Sequence, residues 1–144
     1  MKKAICGFIL AICAALFALS ACAGTFRFLS VRLKGEGGTI TAVAINEFDL
    51  SRGSVAVRLT IYRSDKRTTA AEMQAIDSTY TADLAAGERL ELTADAGEGG
   101  WFCAVAEYTA EGTTNYIECD PMHYDAQGNR VTETDGVKYE VRKA

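Results

Sequence analysis

The stretch Ser54-Val-Ala-Val-Arg-Leu-Thr-Ile-Tyr62 sets Val55, Val57, Leu59 and Ile61 against Ala56, Arg58, Thr60 and Tyr62. Alternation with a period of two, β-branched residues on one side, defines a half-buried strand, because successive strand side chains point to opposite faces. Leu29, Val31 and Leu33 alternate in the same way with Ser30 and Arg32. GGTITAVAI, residues 37–45, follows a Gly-rich turn. RLELTA, residues 89–94, points Leu90 and Leu92 inward and Arg89, Glu91 and Thr93 outward after the turn Ala85-Ala-Gly-Glu88. Between these strands, Thr69-Ala-Ala-Glu72 is a capping-box pattern ahead of Met73 and Ile76, and predicts one or two helical turns, the only helix expected.

Residues 100–119, GWFCAVAEYTAEGTTNYIEC, hold two aromatic-rich runs around Ala110-Glu111-Gly112 and read as a hairpin. Setting Cys103 opposite Cys119 places Val105 opposite Ile117, Glu107 opposite Asn115, and the turn at Glu111. A bridge between these cysteines would close a 15-residue interior, for which chain-entropy arguments give about 3 kcal/mol. The tail adds two bends, Gly128-Asn129 within YDAQGNRV (124–131) and Asp135-Gly136 within ETDGVK (133–138). The first phrase resembles a single YD repeat of the large bacterial shell proteins. One copy in a chain this short cannot build a shell, so it is read as turn chemistry.

Seven or so short strands separated by turns predict an all-β, two-sheet sandwich with at most one short helix. The order is similar to that of immunoglobulin and fibronectin type III domains. LTIYRSDK stands where such domains carry a central strand and turn, and LELTADAGEGGWFCAVAEY resembles the run into their penultimate strand. The resemblance spans residues 37–119 and implies an immunoglobulin-like β-sandwich. The domain is assigned to residues 26–144, with a C-terminal hairpin extension.

Toward the N-terminus, Lys2 and Lys3 precede Ala4–Leu19, an apolar stretch without charge or proline and the layout of an export signal, and the uncharged run extends over residues 4–26. Three outcomes compete. Ala21-Cys22-Ala23 suits cleavage after Ala23, the run is long enough to remain as an anchor, and Leu19-Ser-Ala-Cys22 resembles the lipobox of bacterial lipoproteins. The lipobox resemblance implies removal of residues 1–21 as a signal peptide and a diacylglycerol thioether on Cys22. Residues 22–25 are then a short tether. The protein would be held by its lipid to the bacterial cell membrane or outer membrane, facing the extracytoplasmic side. Of the five cysteines, Cys6 and Cys13 leave with the leader and Cys22 is acylated or removed. Cys103 and Cys119 remain to pair in an oxidising compartment.

Loss of Lys2 and Lys3 takes the formal net charge from −4 to −6, a balance that gives no footprint for nucleic acid. The one basic cluster, Tyr62-Arg-Ser-Asp-Lys-Arg67, contains its own carboxylate and reads as a solvated turn. No G-x-S-x-G, Walker or dinucleotide glycine pattern occurs, and GEGG at 35–38 and 97–100 reads as loop. The single histidine sits in Asp120-Pro-Met-His123-Tyr-Asp125, a spacing that matches no well-defined metal motif. No catalytic residue, metal or cofactor is therefore expected. What remains is aromatic. Phe102, Tyr108 and Tyr116 share one face of the predicted hairpin, away from the cysteines, and form a candidate contact surface for an envelope protein or glycan. The competing reading fills both faces with sandwich core. The expected function is a non-catalytic envelope lipoprotein, a binding or accessory module. An enzyme inhibitor presenting a loop at Gly97–Gly100 is the alternative.

Overall fold

The computed structural model describes residues 29–47, 54–110, 112–134 and 137–140. The leader, Cys22 and the tether lie outside the described residues. The strands are β1 (Leu29–Glu36), β2 (Thr39–Asn46), β3 (Val55–Ser64), β4 (Gln74–Leu84), β5 (Arg89–Asp95), β6 (Gly100–Ala110), β7 (Thr113–Glu118), β8 (Met122–Tyr124), β9 (Val131–Thr134) and β10 (Val137–Glu140). They form the expected all-β sandwich. One antiparallel sheet runs β1-β2-β5; the other runs β4-β3-β6-β7, with β8 also paired to β6. The hairpin β9–β10 follows, with Thr134 paired to Val137; the bend expected at Asp135-Gly136 lies outside the described residues.

The alternation places the core. Val57, Leu59 and Ile61 of β3 are fully buried against Ile40, Ala42 and Ala44 of β2 and against Phe102, Ala104 and Ala106 of β6. Burial of each large side chain stabilises by about 1.5–3 kcal/mol. Leu90 and Leu92 face inward as predicted, each opposite a β2 alanine. At one end of the sandwich Asn46 is completely buried, and its Nδ2 donates to the Leu84 carbonyl at 2.7 Å. Its backbone bonds Gly87 and Glu88, so this residue fastens β2 to the turn by which the chain leaves one sheet for the other.

The predicted helix shrinks to one 3-10 turn, Ala70–Glu72, and Thr69 supplies no side-chain cap. Glu72 is instead bonded by the Thr68 hydroxyl. Ile76 belongs to β4, an 11-residue strand not expected from the sequence. Pairing along β3 from Arg63 to Val55 outweighs a local capping signal.

The opposite end of the sandwich is closed by residues 124–130. Tyr124 is buried, with its ring edge-on to Phe102 at 6.0 Å. Beyond it the carboxylate of Asp125 accepts the Gln127 and Asn129 amides at 2.9 and 2.8 Å and the Asn129 side chain at 3.1 Å. The loop so shaped lies against the β1–β2 turn, where the Gly38 amide donates to the Gln127 carbonyl at 2.8 Å. The contact is possible only because Gly35 lacks a side chain. A Cβ there would collide with the Gly128 carbonyl and lie 2.6 Å from the Tyr124 ring. Desolvation pushes the Asp125 carboxyl up, but its hydrogen bonds from Asn129, Gln127 and Gly128 together hold it below the ordinary aspartate range.

Gly35 sits in ordinary strand backbone, so its replacement tests space alone. Gly35→Ala should lower stability by about 2–3 kcal/mol, whereas the exposed Gln127→Ala should stay within about 0.5 kcal/mol; urea midpoints of the two variants measure both. A depressed Asp125 contributes stability that is present above the free aspartate pKa of about 3.9 and is lost as pH falls through the lower folded value. Asp125→Ala should therefore be less stable than the parent protein at neutral pH. Its deficit should narrow as urea midpoints are followed into acid.

Candidate functional site

The sequence-predicted site residues divide between the two faces of β6. Even-numbered residues Phe102, Ala104, Ala106 and Tyr108 enter the core between the sheets; Trp101, Cys103, Val105 and Glu107 face outward. Phe102 is 0% and Tyr108 8% exposed, so neither offers a contact surface. Tyr116 is 67% exposed but lies opposite Glu107, on the other face. The three aromatics proposed as one patch are therefore not one.

The cause is a one-residue slip in the hairpin. Val105 pairs with Glu118, Ala106 with Ile117, Glu107 with Tyr116 and Tyr108 with Asn115. Ala110 pairs with Thr113, which leaves a two-residue connection with Gly112 at φ 76°, a left-handed conformation glycine adopts freely. Two-residue hairpin turns match the twist of the flanking strands better than the longer turn the expected register required. A shift of one residue moves every side chain of the second strand to the other face.

Cys119 lies beyond β7, in the segment Cys119-Asp120-Pro121. Those three residues oppose only Cys103 and Ala104, between the pairs Val105–Glu118 and Phe102–Met122. The extra residue makes a bulge, a position that tolerates a proline without an N–H. The bulge restores the proximity that the register denied. The Cys119 amide donates to the Ala104 carbonyl at 3.1 Å, the Ala104 amide to the Cys119 sulfur at 3.2 Å, and the Cys103 thiol to the Cys119 carbonyl at 3.0 Å. Both cysteines are free thiols here and are hydrogen-bonded neighbours. The Cys103 thiol is pushed far up by its hydrogen bond to Cys119 and by burial. The Cys119 thiol is lowered by the bond from Cys103 and, despite its own burial, by the Ala104 amide.

A second, smaller core covers this half of the outer face. Residues 65–73 cross over it, and Ala70 and Met73 bury Cys103 together with Tyr62, Trp101, Val105 and Cys119. Trp101 stacks on His123 across β6–β8 at 5.1 Å, with the Arg67 guanidinium 5.6 Å from its ring centre. His123 thus belongs to an aromatic stack, while the Asp125 carboxylate turns into its own loop. Among the described residues no group of three His, Cys, Asp or Glu side chains is placed to hold a metal.

The uncovered half of the same face carries one row across four strands: Tyr80, Arg58, Glu107 and Tyr116. Tyr80 is 56% exposed, and Arg58 lies over its ring at 5.4 Å. The two tyrosines stand about 14 Å apart by the ordinary spacing of strands. The sequence gives Tyr80 a single signal, a tyrosine between threonines in TYTADL. In the Gly97–Gly100 loop, Gly97 and Glu98 are exposed while the second half is tied down. Gly99 is buried, its amide bonds Ala96, and its carbonyl accepts Arg63 Nε at 2.8 Å.

Comparison with protein-family models, curated proteins and solved structures finds no match to this chain.

The two thiols differ enough to be told apart chemically. In the protein under a phosphine reductant, iodoacetamide should label Cys119 at least about tenfold faster than Cys103, because the thiolate is the nucleophile and Cys103 is both buried and raised. Peptide mass spectrometry over a labelling time course measures the ratio, and equal rates would contradict the arrangement.

Proposed function

We propose that this protein is a non-catalytic lipoprotein of the bacterial cell envelope, a binding or accessory module held to the membrane by lipid on Cys22. The lipobox-like Leu19-Ser-Ala-Cys22 supports the address. The strand order β1-β2-β5 and β4-β3-β6-β7 supports the resemblance to immunoglobulin and fibronectin type III sandwiches. The observation that carries a binding role is the uncovered row Tyr80, Arg58, Glu107 and Tyr116. Two exposed tyrosines with a cation and an anion between them supply rigid apolar area and hydrogen-bonding groups at low entropic cost. The anchor keeps that surface at high local concentration near other envelope components.

In such a compartment Cys103 and Cys119 lose their two hydrogens to a disulfide oxidant and bridge the bulge to β6. The bond replaces the thiol hydrogen bonds with a covalent tie and fixes the path of the chain into β8.

Protein extracted from its native envelope without reductant should show an acyl mass on Cys22 and a Cys103–Cys119 linked peptide. Cys22→Ala should release the chain from the membrane. Photo-cross-linking in the envelope should recover a partner that Tyr80→Ala/Tyr116→Ala loses. A membrane-bound Cys22→Ala protein would overturn the anchor, and cross-links indifferent to both tyrosines would overturn the binding surface.

A further inference from the structure

Each sheet of the sandwich has two edges, and they are not guarded alike. β1 carries Arg32 and Lys34, β5 carries Arg89, and β7 is only six residues long. β4 has 11 residues and no lysine, arginine or proline. Its residues from Gln74 to Ser78 are exposed without interruption, and it holds Ile76 and Tyr80, two of the three large hydrophobic side chains exposed among the described residues. Long uncovered edges are templates for another strand, and natural proteins blunt them with lysine, proline, bulges or inward charge. β4 has bulges and negative charge. Its register against β3 shifts between Ile61 and Tyr62 and again between Val55 and Val57, which leaves Asp77–Thr81 as a regular run. Asp77 and Asp83 lie at and beyond the ends of that run.

Beside this edge an open groove of about 510 Å³ runs between β4 and the end of β5, lined by Ile76, Asp77, Arg63 and residues 93–98. Its charge is one-sided. Arg63 is already committed, through Nε to the Gly99 carbonyl and through its terminal nitrogen to Asp65 at 3.0 Å. The salt bridges among the described residues are Lys34–Glu36, Arg63–Asp65 and Arg89–Glu91, and none involves Asp77, Asp83, Asp95 or Glu98. Four carboxylates along one free edge and its groove have no cation of their own.

We propose that the free edge of β4 docks an extended basic segment of a partner protein as an added strand. Main-chain hydrogen bonds to the regular run supply affinity, apolar side chains meet Ile76 and Tyr80, and lysine or arginine side chains reach Asp77, Asp83 and the groove. Charge selects this occupant over a second copy of the chain. Two β4 edges brought together double the carboxylates and add no cation, and like charges across a strand pair are destabilising. The inference goes beyond the envelope reading and stands whether or not Cys22 carries lipid.

The test is amide hydrogen exchange of the full chain with two short synthetic peptides. One alternates lysine with valine and threonine; the other has glutamate at every lysine. The lysine peptide should slow exchange within Asp77–Thr81, and the glutamate peptide should leave it unchanged. Asp77→Lys/Asp83→Lys replaces exposed side chains, so its far-UV spectrum should match the parent's. Its affinity for the lysine peptide should fall roughly tenfold. Equal protection by both peptides, protection confined to another strand, or none at all would overturn the proposal. So would self-association of the unliganded chain through β4 in sedimentation.

Discussion

Strand β6 must be covered on both faces, and much of the molecule outside the main core is arranged by that requirement. Phe102, Ala104 and Ala106 fill the space between the sheets, yet Trp101, Cys103 and Val105 on the reverse are no better suited to water. The segment after β3 therefore does not turn directly into β4. It crosses the outer face first, packs Ala70 and Met73 in one cluster with Cys103, and only then begins the edge strand. On the far side the chain bulges at Cys119-Asp120-Pro121, which lets β7 and β8 both pair with β6 despite different registers. The cysteine contact is a product of that bulge, not of regular cross-strand pairing.

The two ends of the sandwich meet a different demand, since backbone groups at the mouths of the sheets need partners where strands run out. One end uses a buried side chain: Asn46 bonds the Leu84 carbonyl, and its backbone takes up the following turn. The other uses a preformed loop, shaped by Asp125 and laid against Gly35 and Gly38 so that main chain meets main chain. Gly99 is drawn into the same junction, where a Cβ would stand 2.7 Å from the Tyr124 carbonyl. That pins the 97–100 loop at Gly99, while Gly97 and Glu98 stay exposed.

Alternation makes the sandwich legible where one face of a strand is wet, as in 89–94. In 54–62 it identifies the inward set Val55, Val57, Leu59 and Ile61, although Thr60 and Tyr62 behind them are covered as well. It failed where both faces are dry. In Trp-Phe-Cys-Ala-Val-Ala every position is apolar, so nothing in the local pattern separates Phe102, in the main core, from Cys103, in the second one. The assignment then rested on the turn, and placing it at Glu111 in place of the pair Glu111-Gly112 reversed the face of Tyr116 while leaving Tyr108 buried. β4 was hidden for another reason. Thr69-Ala-Ala-Glu72 is a sound helix start, and only pairing with β3 and the burial of Met73 reveal that the chain has no room to continue the helix. Tyr80 came into view only through the cross-strand row, which is a property of four strands at once.

The two outer faces of the sandwich differ in a way that bears on where contacts form. On the β1-β2-β5 sheet, Arg89 pairs with Glu91 and the Thr41 and Thr93 hydroxyls bond each other at 3.0 Å, while at its edge Lys34 pairs with Glu36. Exposed pairs of this kind contribute little to stability, about 0–1 kcal/mol each, but each must give up water and partner before anything else can bind. On that face these charges and hydroxyls already have partners within the sheet. On the β4-β3-β6-β7 sheet the crossover has already claimed the apolar half, and the tyrosines left beyond it gain by being covered. The free edge of β4 adjoins that same half-face, so a strand added there would sit beside Tyr80. The aromatic row and the acidic edge are thus two sides of one surface, and a partner that reads charge along the edge meets apolar area as soon as it turns onto the face.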